Sequence, residues 1–173
     1  MEDQPNATIR SVSIKYGLIL GMIGIIYFIL LDFLGKAQDQ GWNYLGIVFS
    51  IVAFYFAYKE FKEDGDGYMT YGQGLGIGTL ASLISSVISG IFTVVYINYI
   101  NSAFMENMRQ MQIAKMEEQG MSDAQIEQAM PMVEMFSSPI AMFIMIIIFG
   151  TFFGFLVALI MSAIFKKSNP EAI

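Results

Sequence analysis

Two stretches of this chain contain no Asp, Glu, Lys or Arg: from Gly67 to Met105 and from Met135 to Phe165. Each exceeds the roughly 20 apolar residues that cross a bilayer. No soluble core of a 173-residue chain absorbs two such runs. Charged residues are only 14% of the whole, against about a quarter in an ordinary soluble domain. Lipid offers the backbone no hydrogen-bond partners, so such segments fold as helices that satisfy themselves. The sequence therefore predicts an all-α, polytopic integral membrane protein whose first partner is the lipid bilayer.

Four transmembrane helices are expected, near residues 14–34, 42–59, 71–100 and 139–165, in one membrane domain covering 1–173. The first apolar run follows Arg10 and Lys15 and stays uncharged from Tyr16 to Leu31. That is longer than a signal-peptide core, with only Gly35-Lys36-Ala37 as a weak cleavage site, so it is read as a retained helix. The second run, Trp42 to Tyr58, is shorter but framed by aromatic rings. The fourth starts with Ser138 as an N-cap and Pro139 at the first helical position, where a missing donor costs nothing.

Residues 101–138 form the one substantial polar segment. A capping box at Ser122-Asp123-Ala124-Gln125, just after Gly120, predicts a helix, a break and a second helix. The first is expected to continue the third membrane helix, and Pro131 to end or kink the second. Basic flanks favour both termini inside: Arg10, Lys15, Lys59, Lys62, Lys166 and Lys167 on one side against Lys36, Arg109 and Lys115 on the other. Segment 101–138 is then extracytoplasmic. Aromatic rings fall at the two interfaces, Trp42, Tyr44, Tyr96 and Tyr99 outside, and Tyr55, Tyr58, Tyr68 and Tyr71 inside.

The stretch "GDGYMTYGQGLGIGTL", residues 65–80, has the look of a ligand loop. Counted from Asp64 as a calcium loop, it puts Met69 where glycine must turn and Leu75 where a closing Glu belongs. No strand precedes it and no Lys follows its last glycine, so phosphate cradles do not fit. Thr70-Tyr71-Gly72-Gln73 instead reads as the capping box of a helix. Gly74, Gly78, Ser82, Ser86 and Gly90 then form one small-residue stripe, with Gly72 and Gly76 about 200° from Gly74 at about 100° per residue. Two neighbours could approach this helix closely. Similar ladders run through Gly17 and Gly21, Gly46 and Ser50, and Gly150, Gly154, Ala158 and Ser162.

The segment "GYMTYGQGLGIGTLASLISS", a third helix ending in "VYINYI", and the polar segment before a fourth helix resemble the membrane proteins grouped as domain of unknown function 4199. The likeness runs from about Ser11 to Lys167. It implies four transmembrane helices in the bacterial inner membrane and implies no activity, so no functional residue is carried over.

Cysteine and histidine are absent, which removes thiol chemistry, imidazole bases and the usual zinc ligands. Net charge is −6 with no basic cluster, so nucleic acid is not an expected partner. Asn6-Ala7-Thr8 fits a glycosylation sequon by chance composition. Glu117 with Glu118, and Asp64 with Asp66, read as loop acids rather than an acid–base pair. No catalytic, cofactor-binding or metal residue is assigned, and an enzyme is not expected.

The leading expectation is an uncharacterised, non-enzymatic structural or interaction protein, with a homo-oligomer or another membrane protein as partner. One alternative is a small-solute or ion-permeable transport protein using the serines of helix three, without proton coupling because no ionisable group sits at mid-span. A second draws on the methionines, eight of fourteen of which lie between Met105 and Met135. With no Cys or His, their thioethers are the soft ligands for an extracytoplasmic Cu(I) site. On a helix, Met105, Met108, Met111 and Met116 also form an apolar stripe for bilayer or subunit contact.

Overall fold

The computed structural model describes residues 7–37, 40–101 and 103–169, the side chains of Gln40 and Asn43 excepted. Asn6 of the sequon lies outside them. The described chain is helical, with α1 Ile9–Phe33, α2 Gln40–Asn43, α3 Leu45–Glu63, α4 Tyr71–Val95, α5 Ala103–Glu118, α6 Asp123–Ser137 and α7 Pro139–Phe165. Three stretches are long and apolar enough to cross a membrane: Ile9–Phe33, Tyr71–Ile100 and Pro139–Phe165. They are compatible with a multi-pass membrane protein.

The second apolar run differs from expectation. It breaks at Tyr44, and of α3 only Leu45–Tyr58 is uncharged. That is about 21 Å of helix at 1.5 Å per residue, short of the roughly 30 Å of a hydrocarbon core.

The chain forms two compact units, Met1–Ser89 with Ile147–Ile173, and Gly90–Ile146. In the first, α1 and α4 run parallel: Ser13 Oγ reaches Ile77 O at 3.3 Å, and Gly17 and Gly21 lie against Ile84 and Ile88. The chain must return between them, and α3 makes that return antiparallel to α1. Lys15 and Tyr16 meet Glu60 at 2.5 and 2.9 Å, while the Tyr27 ring meets Phe49 edge-on at 5.2 Å.

The core of this unit sits at the Glu60 end and contains Val12, Phe54, Tyr58, Met69, Ile77 and Met161. The same end is closed by paired backbone bonds between Met69 and Lys167, of 2.9 and 2.8 Å. Gly67, at φ +82°, turns the chain from α3 toward α4 in a region where a side chain would be strained.

In the second unit, α4 ends in a π-helical turn, Tyr96–Ile100, and the backbone breaks at Asn101 with φ −133° and ψ 80°. The expected continuous extension of helix three is therefore absent, and α5 starts separately. Tyr96 is buried against Phe104 of α5, ring to ring at 6.1 Å. Gly120, at φ +80°, makes the expected break, and Gln125 reaches back to the Ser122 amide at 2.9 Å. Pro131 does not end α6, which continues to Ser137. Its missing donor frees one carbonyl on the exposed Glu127 turn, where water can serve. Ser138 caps α7 as expected, its Oγ accepting from the Ala141 amide at 3.3 Å.

Candidate functional site: a buried tyrosine and a glycine–serine seam

The charged end of α3 hides an apolar stripe. Ala57, Tyr58 and Phe61 alternate with Lys59, Glu60, Lys62 and Glu63 at helical spacing. Tyr58 is fully buried within the protein. Its hydroxyl donates to Gly74 O at 2.9 Å and pairs with Ser162 Oγ at 3.1 Å. One side chain of α3 thus joins α4 and α7. The sequence placed this ring among the inner aromatics and assigned it no partner helix. Its place on the Ala57–Phe61 stripe was the available signal.

The hydroxyl fits there because glycines make room. A Cβ on Gly74 would stand 2.8 Å from Ser162 Oγ, and one on Gly78 would stand 2.5 Å from Ala158 Cβ and 3.0 Å from the Tyr58 hydroxyl. Farther along, Gly154 is pressed by Ser82 and Gly150 by Ser86. Each four-residue step along α4 is matched by a four-residue step back along α7. Gly74, Gly78, Ser82 and Ser86 face Ser162, Ala158, Gly154 and Gly150 in antiparallel register over about 18 Å. Ser82 also donates to Gly78 O of its own helix at 2.9 Å. Gly90, in the second unit, continues the small-residue pattern against the Phe143 ring, 2.8 Å from a built Cβ.

The second glycine face of α4 makes no close approach among the described residues. A Cβ on Gly72 would meet nothing within 4 Å, and one on Gly76 only Ile9 Cγ2 at 3.7 Å. α1 instead approaches α4 through its own glycines: a Cβ on Gly17 would stand 2.9 Å from Ala81 O. Gly46 likewise has open space. It lines an apolar groove of about 580 Å³ between α3 and α7 with Ser50, Gly150 and Gly154, and Ser50 Oγ is bonded to Gly46 O at 3.0 Å.

Asp66 accepts from the Tyr68 amide at 3.0 Å and shapes the loop. The α4 capping box is complete: Thr70 N donates to Gln73 Oε1 at 2.7 Å and Gln73 N to Thr70 Oγ1 at 3.2 Å. Met105, Met108 and Met116 are half-buried and only Met111 of that stripe is exposed. Arg109 bridges α5 to α6 through Glu134 at 3.6 Å.

Residues 15–167 match the family model described as protein of unknown function (DUF4199). The chain belongs to this family. The match spans the Lys15–Glu60 pair at one limit and the Lys167 bridge at the other, so the DUF4199 region contains the whole seam. No curated protein and no solved structure matches the chain.

Proposed function

We propose that this DUF4199 protein is a non-enzymatic integral membrane protein of the bacterial inner membrane that acts through helix packing, as a structural or interaction partner that includes copies of itself. Four helices cross the bilayer, both termini are cytoplasmic, and residues 101–138 are extracytoplasmic. The observation that carries the reading is the α4–α7 seam. Small residues on both helices interlock along its length, and backbones brought this close gain dispersion contacts where no hydrophobic effect acts between helices. The fourth crossing is supported by connectivity, since parallel α1 and α4 need a return and α3 supplies it. Orientation is supported by Lys15, Lys62 and Lys167, which gather at one end of the first unit.

A transport path along the α4 serines would need them wetted, whereas Ser82 and Ser86 are 4% and 6% exposed and back onto α7 glycines, which leaves the half-buried Ser85 and Ser89. The full chain, reconstituted in liposomes and also weighed by native mass spectrometry in mild detergent, tests the proposal. It should assemble as more than one copy and leave ion and small-solute flux at the level of empty vesicles. Strictly monomeric behaviour would remove the self-association. Flux abolished by Ser82→Leu would replace the packing role with transport.

A further inference from the structure

The second unit exposes an apolar surface that the buried seam does not use. At the end of α6, Met132, Met135 and Phe136 are 64%, 60% and 50% exposed. At about 100° per residue they occupy an arc of about 100°, with Glu134 on the opposite side of the helix. The Glu134 carboxylate is turned to Arg109 of α5, which leaves the arc without charge.

The surface continues past Ser138. Ile140 and Ile144 of α7 are 73% and 48% exposed, and Met135 to Phe165 contains no charged residue. The other end of the hairpin is its opposite in character, with exposed Glu117, Glu118, Asp123 and Glu127 around Gly120. A hairpin polar at its tip and apolar at its root matches the passage from water to lipid.

We infer that the last two turns of α6 lie against the bilayer, with Met132, Met135 and Phe136 in contact with lipid chains as a continuation of the surface of α7. The inference rests on the reading of α7 as a membrane span. It moves the methionine contact with lipid from the α5 stripe, three of whose four members are half-buried, to the root of α6.

The chain contains no cysteine, so a single introduced one carries a nitroxide label without background. Met132→Cys, Met135→Cys, Phe136→Cys, Ile144→Cys and Glu127→Cys are labelled in the full chain in phosphatidylcholine–phosphatidylglycerol liposomes. Each is relaxed in turn by oxygen and by a water-soluble nickel chelate. Positions 132, 135, 136 and 144 should respond more to oxygen, and 127 more to nickel.

If 144 favours oxygen while 132, 135 and 136 favour nickel, the span stands and the α6 contact is wrong. If 144 favours nickel, the span itself fails and takes the contact with it. Labels at 132, 135 and 136 that neither reagent reaches would mean that protein, a second copy or another chain, covers this surface instead of lipid.

Discussion

Tyr58 shows how much one hydroxyl can specify among helices built mostly of hydrocarbon. Its donor goes to a backbone carbonyl of α4 and its oxygen meets a hydroxyl of α7, so three helices are fixed at one point. Interhelical hydrogen bonds within membranes contribute about 0.6 kcal/mol on average, because the separated helices also find partners. Tyr58→Phe keeps the ring against Phe54 and removes both bonds. It should lower stability by about 1–2 kcal/mol in a detergent-unfolding titration. Ser162→Ala should cost less, since Tyr58 keeps its bond to Gly74. In the double variant the losses should fall short of additive, because the two hydroxyls share one contact. Full additivity would mean that they do not act together. Lys15 and Glu60 form a neighbouring pair, half-exposed on the lysine side, and a pair of that kind contributes little in water.

At the scale of the helix, the ladder along α4 was legible because small residues at four-residue spacing have one physical use in lipid, the close approach of another helix. The partner face of α7 was legible for the same reason, and so was Gly17 with Gly21 on α1. What the pattern could not reveal was which ladder contributes the space at each contact. One thin helix is enough for a close crossing, so Gly17 makes Gly72 and Gly76 unnecessary, and Gly46 lines a groove instead of a contact. The break at Asn101 was invisible because the π-helical turn before it contains ordinary residues, Tyr96 to Ile100, with no proline or glycine to mark it. Substitution separates the used glycines from the unused. Gly78→Ala sets a methyl 2.5 Å from Ala158 Cβ, and the seam must open to hold it. Overpacking of that kind costs about 1–3 kcal/mol, more than the roughly 1 kcal/mol of helix propensity that alanine regains. Gly72→Ala meets open space and should leave stability unchanged or raise it by up to about 1 kcal/mol. Thermal unfolding of the two variants side by side checks the contrast, and equal behaviour would remove the seam as the organising contact.

For the whole molecule, the question is how a chain with three described helices long and apolar enough to cross a membrane would close its path through one. α1 and α4 start from the same end, where Ala7 N reaches Asp64 O at 3.4 Å, so in the proposed four-crossing path α3 carries the chain back although its uncharged part is short. In that path the deficit would be met at the Glu60 end. Lys59 pairs with Glu63 at 3.7 Å, and Lys62 caps α7 through Phe165 O at 3.4 Å. Long basic side chains can lie along apolar surface with their charges in the headgroups, which lengthens what α3 can cover. Single cysteines at Ala37, Asp64, Gln119 and Ser168 read the path directly when intact cells are treated with a maleimide that cannot enter. With four crossings and cytoplasmic termini, Ala37→Cys and Gln119→Cys are labelled from outside, and Asp64→Cys and Ser168→Cys only after the cells are opened. Were α3 to turn back without crossing, Asp64→Cys would be labelled together with Ala37→Cys. The parallel α1 and α4 would then have to enter from opposite sides, and the hydrogen bond from Ser13 to Ile77 and the contact of Gly17 with Ala81 could not form.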